Sequence, residues 1–482
     1  MPQSSSEIVA APVSVVNEMS SGELGDQRLN ERRDRLVAVL EQHPDTAFPD
    51  ACADDAEVEA LYRFLRNRRV SLPALIEPHI AATHARCAAL GEVLVVHDTT
   101  DMVFAGETTR TGLTRLGHGR QGFWLHAALA VSADGLAAPL GLLSLLPFVR
   151  EGRARSLPDD ARIRFADPLK ESRWWTAGLT AVRTRVGTAL APIHVMDRGA
   201  DSYELFAAML TRGDRFVVRL NHDRCVVTDD GANHLAAAAP QDRVMGQRQV
   251  RLASRAIGDR SPQARRRHPA RDGRVATLQF AARRLTVQRP HGGPVYAHLP
   301  PTLTVHVVYA WEIDAPRDEP PVVWRLITTE PIDTLEQVLR IVDWYRARWR
   351  IEEWFKALKT GCAYEKRQLT SLRTLLIALA LLAPIAWQLL LLRHAARDFR
   401  DAGASVALSD RQLHLLRASS GGQRLPADPT IREALMAVAR LGGHLRQNGN
   451  PGWLVLGRGM QKLLYMEAGW AAANMARRCD QS

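Results

Sequence analysis

The segment Thr334–Thr360, TLEQVLRIVDWYRARWRIEEWFKALKT, has the periodicity of an amphipathic helix and carries an unusual set of polar side chains. At about 100° per residue, Tyr345, Arg348, Glu352 and Lys359 project within about 60° of one another on one edge. The adjoining edge is apolar. We therefore expect this helix to pack one edge against a core and to present the polar edge as a candidate site.

The polar edge has two interpretations. Arg348, Glu352 and Lys359 could lie on a solvated face with i,i+4 ion pairs, Arg348 with Glu352 and Glu352 with Lys356, which is the commoner fate of such charges. Those pairs account for neither Tyr345 nor Lys359. A phenol, a guanidinium and an ammonium beside one carboxylate also suit a phosphodiester next to a metal ion, because the carboxylate can hold the cation and the donors can hold phosphate oxygens. The helix alone leaves both interpretations open.

Two further acidic residues follow predicted strands upstream. Asp98 ends a predicted strand that begins at Val93, and two more strands, over 123–133 and 138–149, complete a three-stranded meander. Asp197 ends a second short strand, and the nearby Asp201 is a candidate N-cap for the helix that follows. An acid at the end of a buried strand is a common location for a catalytic group.

Three carboxylates from separate elements can converge on two divalent cations that assist phosphoryl transfer. The candidate set is Asp98, Asp197 and Glu352. Magnesium is the expected ion, with manganese as a substitute, because the ligands are all hard oxygens and no His/Cys set competes with them.

The remainder of the chain divides by pattern. Residues 1–20 are predicted to be disordered. Three helices follow, with arginines such as Arg63 and Arg66 on their outer faces, which suits either DNA binding or a solvated basic surface. Residues 224–321 alternate apolar and polar side chains and are predicted to form a β-rich insertion, whose basic loop 261–274 has no assigned role. The last hundred residues are predicted to be helical.

One segment, Thr374–Leu392, is almost long and apolar enough to span a bilayer. It is interrupted by Pro384 and Gln388 and it stands alone. We interpret it as a buried helix or a bent helix pair, with a membrane span as the minor alternative.

The composition favours a globular protein with a polyanionic partner. The 482 residues are 46% hydrophobic and 24% charged, which suffices for two to four domains. Lys and Arg number 63 against 52 Asp and Glu, and the formal charge of +11 favours nucleic acid as the partner. Five cysteines without paired spacing argue for a reducing compartment and against a zinc knuckle or a disulfide framework.

Taken together, the motifs resemble those of cut-and-paste DNA transposases with an RNase H-like core, in the insertion-sequence group that includes the Tn-five transposase, the wider IS-four family. The resemblance extends from LGDQRLNERR through ARLGG near Leu441 and covers nearly the whole chain. The matching segments are HDTT at Asp98, MDRGAD at Asp197, RFVVR at Arg219, WRLITTEP at Trp324, and YRARWRIEEWFKALKTG, which carries the Tyr-Arg-Glu-Lys signature at Tyr345, Arg348, Glu352 and Lys359.

The resemblance implies roles for individual residues. Asp98, Asp197 and Glu352 would bind two Mg²⁺ ions. Trp324 would stack on a base flipped out of the transposon end. The phosphates of that end would be held by Tyr345, Arg348, Lys359 and Arg219. The N-terminal helices, with Arg63 and Arg66, would read the end sequence, and the C-terminal helices would dimerise.

The resemblance also implies the organisation of the protein. We expect an α/β fold: an RNase H-like mixed sheet flanked by helices in a catalytic domain over 83–372, between an N-terminal helical DNA-binding domain over 1–82 and a C-terminal helical domain over 373–482. The partners would be double-stranded DNA, as inverted-repeat ends and as target, and a second copy of the chain. We expect a cytoplasmic, nucleoid-associated protein of bacterial type, without a membrane.

Two alternatives remain: an RNase H-like nuclease without strand transfer, and a DNA-binding relative without catalysis. One departure from the family pattern concerns activity. Where relatives read Asp-Arg-Glu-Ala-Asp, this chain has Gly199 in place of the acid. We expect the glycine to loosen the local turn and to remove a helper carboxylate.

Overall fold

The computed structural model describes residues 15–106, 109–116, 120–149, 171–239, 243–252, 254, 270–291, 296–317, 319–398, 403–406, 408–419, 425–445 and 451–479. Most of the basic loop 261–274 and the Arg-rich segment before residue 171 lie outside the described residues.

The described helices lie mainly at the two ends of the chain. In order they are α1 Val15–Ser20, α2 Gln27–Gln42, α3 Phe48–Ala51, α4 Asp55–Arg66, α5 Leu72–Leu90, α6 Glu171–Val186, α7 Tyr203–Arg212, α8 Leu335–Ala347, α9 Trp349–Lys356, α10 Leu372–Asp398, α11 Asp410–Ser419, α12 Ile431–Leu441 and α13 Trp453–Cys479.

The described strands occupy the middle of the chain. They are β1 Val93–Phe104, β2 Thr114–Arg115, β3 Gln121–Ser132, β4 Pro139–Phe148, β5 Ile193–Met196, β6 Arg215–Arg219, β7 Val226–Val227, β8 Gly246–Leu252, β9 Arg274–Gln288, β10 Thr302–Glu312 and β11 Val323–Thr328.

The chain divides into two compact units. The first contains Met1–Asp159, Ala177–Leu190 and Trp349–Ser482, and the second contains Asp160–Thr176 and Ala191–Arg348. The first unit therefore holds Asp98 and Glu352, and the second holds Asp197.

The first unit contains the predicted meander. β1 pairs antiparallel with β3 along its whole length, from Val93 opposite Ser132 to Phe104 opposite Gln121, and β3 pairs antiparallel with β4. One face of these strands packs on α5 and on the second half of α6, through a cluster of buried apolar side chains that includes Cys87, Val95 and Val182. Helix α9 lies against β1 and β3.

The prediction that β1 ends at Asp98 was wrong. The strand continues six residues further, to Phe104, because β3 is long enough to pair with all of it. The ladder hydrogen bonds to β3 outweigh the weak strand preference of the aspartate, so Asp98 lies in mid-strand opposite Ala127.

The second unit contains a mixed sheet. β5 and β6 are parallel, β11 is antiparallel to β6, and β10 and β9 extend the sheet by antiparallel pairing. β7 and β8 also pair with β9, so the predicted β-rich insertion is present between β6 and β11. Helix α8 packs on this sheet and begins with a capping box in which Thr334 and Gln337 satisfy each other's backbone N–H groups.

The predicted fold class is confirmed. The protein is α/β, with a large mixed sheet flanked by helices, a β-rich insertion, and helical regions at both ends of the chain.

The helix predicted over 334–360 is interrupted twice. α8 ends at Ala347, α9 begins at Trp349, and a π-helical turn, Ala357–Gly361, follows it. Arg348, between α8 and α9, keeps a right-handed helical backbone, with φ −50° and ψ −31°. The helix therefore stays right-handed here, and only the pattern of its backbone hydrogen bonds changes. The apolar edge packs as predicted, with Trp344 2%, Ile351 0%, Phe355 6% and Leu358 0% exposed.

The prediction that residues 1–20 are disordered was wrong for Val15–Ser20. Val15–Ser20 is a helix whose Val15 and Met19 side chains are fully buried. Glu18 anchors it, because its carboxylate pairs with Arg86 and lies 2.7 Å from His79 Nδ1. A charge pair with Arg86 and a hydrogen bond from His79 offset the cost of ordering this short helix.

The arginines of α2 are not all on the outer face. Arg33 is 1% exposed, donates to the Gly22 carbonyl and pairs with Asp34 at 2.8 Å. Arg63 and Arg66 on α4 are exposed, as predicted. A buried arginine in this position explains how residues 20–22 are held against the helical region.

The apolar segment near the C-terminal region is one helix, α10, with Pro384 inside it. Among the described residues it is the one helix that is long and apolar enough to cross a membrane by length and composition, with a mean hydropathy of 2.5 over the most apolar 18-residue window of Leu372–Ala395. Of its most apolar stretch, 83% is buried inside the protein. It packs against α5, β4, α2 and α4 of the first unit.

Candidate active site

In the first unit, Asp98 and Glu352 lie on elements that pack together, β1 and α9. Both side chains are partly exposed. Asp98 Oδ1 accepts a hydrogen bond of 2.8 Å from the backbone N–H of Thr99, which limits the rotation of the carboxylate. Partial exposure at a strand surface leaves a carboxylate accessible to a ligand.

The opposite face of β1 holds a buried pair of histidines. His97 and His126 are both 0% exposed, and His97 Nδ1 lies 3.4 Å from His126 Nε2. His126 Nδ1 lies 2.8 Å from Thr99 Oγ1. The sequence pattern does not predict this pair, although His97 stands in the HDTT motif, because the contact depends on the β1–β3 register that places His126 opposite Thr99.

The burial of His126 predicts a pH dependence of stability. Burial lowers the pKa of His126 to about 3, whereas an unfolded chain has a histidine pKa near 6.5. Below pH 6.5 the unfolded state therefore binds the extra proton, and stability falls as the pH drops from 6.5 towards 3, by up to about 1.4 kcal/mol per pH unit. Urea unfolding at pH 7.5 and pH 5.5 should show a smaller loss in His126→Asn than in the unsubstituted protein. Equal losses in the two proteins would contradict this.

Lys359 projects into a cavity beside β1. Its Nζ donates to Thr100 Oγ1 at 2.9 Å and to the Asp101 carbonyl at 2.6 Å, and it lies 3.4 Å from Glu365 Oε1. The cavity has a volume of about 750 Å³, and its lining also includes Arg120 and Lys366. Three cationic and two acidic residues, Asp101 and Glu365, line this cavity, so a small excess of positive charge favours an anionic ligand.

In the second unit, Asp197 follows β5 directly, as predicted. Its Oδ1 accepts from the Gly199 N–H at 2.8 Å and so caps the 3₁₀ turn Arg198–Ala200. The side chain is partly exposed. Asp197 therefore resembles Asp98 in having a carboxylate held by a backbone N–H close in sequence.

The alternative role for Asp201 as a helix N-cap was wrong. Helix α7 begins at Tyr203, and Ser202 is its N-cap residue. The Asp201 side chain is 0% exposed and accepts hydrogen bonds from the backbone N–H groups of Asn221 and His222, at 2.6 and 2.7 Å, and from Arg224 Nε at 2.9 Å. Asp201 is thus the centre of a buried network that fixes the loop after β6.

Gly199 permits close packing rather than a loose turn. A Cβ at this position would lie 2.9 Å from Trp175 Cζ2 and 3.1 Å from Asp197 Oδ1, and Trp175 is 5% exposed. An acidic side chain at 199 would have to displace the indole. The lack of a side chain at position 199 therefore leaves room for the Trp175 indole.

Three of the predicted phosphate- and base-binding residues lie together in the second unit. The Arg219 guanidinium carbon is 5.7 Å from the Trp324 ring centroid, and the Trp324 and Tyr345 rings meet edge to face at 5.3 Å. Burial lowers the pKa of Arg219, a hydrogen bond with Tyr345 opposes that effect, and the charges of Arg198 and Arg348 add to the lowering. We call Arg219, Trp324, Tyr345 and Arg348 the Arg219–Trp324 cluster.

The charges of this cluster suit an anion. The charges of Arg198 and Arg348 lower the pKa of Arg219, so three cationic groups interact in this part of the second unit. Their mutual repulsion would be relieved by a bound phosphate, and the partly exposed indole of Trp324 offers a stacking surface.

The arrangement of the three acids as one metal site stays a prediction. Among the residues that the structure describes, no group of three or more His, Cys, Asp or Glu side chains is placed to hold a metal ion. The donor chemistry of the three candidates fits a hard divalent cation, since each is a partly exposed carboxylate.

Comparison with known proteins identifies two regions. Residues 15–70 match a family model described as transposase DNA-binding, and residues 179–387 match one described as transposase DDE domain. The second match contains Asp197 and Glu352 and begins after Asp98. A solved structure, the cryo-EM synaptic complex of piggyBac transposase with hairpin DNA, is 9% identical, with coverage of 81% of this chain and 73% of that one and a TM-score of 0.33. Residues 15–70 are thus similar to transposase DNA-binding regions, and residues 179–387 are similar to transposase DDE domains.

Proposed function

We propose that this protein is a cut-and-paste transposase of the IS-four type, which cleaves the ends of a mobile element and joins them to target DNA. The observation that carries the proposal is the Arg219–Trp324 cluster. An indole beside a guanidinium and a phenol provides both a stacking surface for an extruded base and donors for the adjoining phosphate.

Asp98, Asp197 and Glu352 are proposed to hold two Mg²⁺ ions, for which Mn²⁺ would substitute. The support is the chemistry of the donors, which are all carboxylate oxygens, and the backbone N–H groups that orient Asp98 and Asp197. Such cations, when bound, activate the attacking oxygen and stabilise the leaving one in an in-line displacement.

The other side chains are proposed to hold the DNA strand. Arg219, Arg348 and the Tyr345 hydroxyl would donate to phosphate oxygens on either side of the flipped base. Lys359 would bind a phosphate in the cavity beside β1, where its ammonium already faces that space. Fixing the strand in this way lowers the entropic part of the barrier to in-line attack.

The proposed reaction proceeds through a hairpin. Water would cleave one strand at each end, the released 3′ hydroxyl would attack the opposite strand to form the hairpin, and a second water would open it. The same 3′ hydroxyl would then attack the target. Two copies of the chain would act on paired ends, with the domain over 1–82, including Arg63 and Arg66, reading the end and the domain over 373–482 joining the copies.

A strand-transfer assay tests this function. The full-length protein is mixed with Mg²⁺, a supercoiled target and a duplex that carries a pre-cut transposon end with a free 3′ hydroxyl. We expect joined product, and with an uncut end we expect a hairpin on a denaturing gel. Cleavage without joining would instead identify a nuclease, and binding without either product would identify an inactive DNA-binding relative.

A further inference from the structure

The two histidines behind β1 form a chain of contacts that ends at Asp98. His97 contacts His126, His126 contacts the Thr99 hydroxyl, and the Thr99 N–H donates to Asp98 Oδ1. Thr99 and His126 are directly opposed in the β1–β3 register. Side chains alternate across a strand, so His97 and Thr99 lie on one face of β1 and Asp98 on the other.

The His126 ring is held in place from three sides. His97 lies at one nitrogen, Thr99 lies at the other, and Gly178 of α6 packs against the ring. A Cβ at position 178 would lie 2.3 Å from His126 Nε2 and 3.3 Å from His97 Nδ1. A ring confined in this way has one orientation. Since a neutral imidazole has one donor and one acceptor nitrogen, the contacts of His126 with His97 and with Thr99 can form at the same time.

We propose that His126 is a positioning residue for Asp98: by binding Thr99 Oγ1 it fixes the peptide group between Asp98 and Thr99, whose N–H orients the carboxylate. The inference rests on the proposed function, in which Asp98 is a cation ligand. The second carboxylate oxygen of Asp98 is thereby held on the accessible face of the strand. Without the contact to the Thr99 N–H, this half-buried side chain would rotate.

Two amide substitutions of His126 separate positioning from packing. The terminal atoms of asparagine are three bonds from Cα, as is His126 Nδ1, and those of glutamine are four bonds away, as is Nε2. His126→Asn can therefore keep the contact with Thr99, whereas His126→Gln can keep only the contact with His97. Both remove the ring, so any loss of packing against Gly178 is common to the two variants.

The expected result is a difference between the two variants. His126→Gln should lower the single-turnover rate of strand cleavage by about 10- to 100-fold with unchanged affinity for end DNA, and His126→Asn should keep most of that rate. In the metal-free protein, hydrogen exchange at residues 98–101 should be faster in His126→Gln than in His126→Asn. Equal rates of cleavage and exchange in the two variants would overturn the proposal.

Thr99 supplies a second pair of variants with smaller changes in the core. Thr99→Ser keeps the hydroxyl that contacts His126, and Thr99→Val keeps the shape without it. We expect Thr99→Val to behave as His126→Gln does and Thr99→Ser to behave as the unsubstituted protein does. Asp98→Asn, measured in parallel, tests the proposed function separately from the role of His126. If Asp98→Asn still cleaves DNA, the proposed function fails. The hydrogen-exchange data then still decide whether His126 orients the peptide group between Asp98 and Thr99.

Discussion

Replacing Glu352 with glutamine is expected to abolish metal-dependent cleavage and joining of DNA while leaving the binding of transposon ends unchanged. The amide removes the negative charge that a cation ligand requires but keeps the volume of the side chain. Loss of a cation that contributes several kcal/mol to transition-state stabilisation corresponds to a rate decrease on the order of a thousandfold or more. Cleavage is measured on a labelled end at fixed Mg²⁺, and binding by gel shift without metal.

The matched control is Glu336→Gln, which makes the same chemical change at an exposed position in the first turn of α8. It should cleave at the original rate. A Glu352→Gln protein that retained cleavage, or that lost end binding and cleavage together, would refute the assignment of Glu352 as a cation ligand.

The second large effect is on stability. Asp201→Ala is expected to lower the free energy of unfolding by about 3–5 kcal/mol, because it leaves Arg224 and two backbone N–H groups without their buried acceptor. The Arg224 side chain is 9% exposed, so water has little access to the charge that remains. Urea denaturation, followed by tryptophan fluorescence, measures the change.

Two further variants make that result interpretable. Asp201→Asn retains an oxygen that can accept from Asn221 and His222 and should lose less stability than Asp201→Ala. Asp230→Ala breaks an ion pair with Arg283 in which the aspartate is 58% exposed, and should change stability little. Equal effects at 201 and 230 would show that the Asp201 network does not stabilise the fold.

The periodicities of the sequence predicted the elements well because the hydrophobic pattern determines which face of each element is buried. The apolar edge of the segment 334–360 is an example, since Trp344, Ile351, Phe355 and Leu358 all pack as expected. Pairing partners are harder to predict. The length of β1 depends on β3, which is contributed by residues more than twenty positions away, so the local composition around Asp98 suggested an end that the sheet does not have.

Side-chain networks were the least predictable part. Asp201 has the residue type and location of an N-cap, and its real acceptor role depends on Arg224 and on a loop twenty residues further along the chain. The contact between His126 and Thr99 likewise requires the register of β1 and β3. In contrast, the resemblance assigned Arg219, Trp324 and Tyr345 to one DNA end, and the structure brings these three side chains together. Their contact with DNA stays a prediction.

The burial of α10 constrains the order in which the protein can be assembled during translation. Most of the surfaces that cover this helix, on α2, α4, α5 and β4, precede it in the chain and emerge from the ribosome first, while α12, which also packs on it, follows later. The apolar helix α10 can therefore pack on these earlier elements soon after it is synthesised. This shortens the time in which it could associate with lipid, chaperones or other nascent chains.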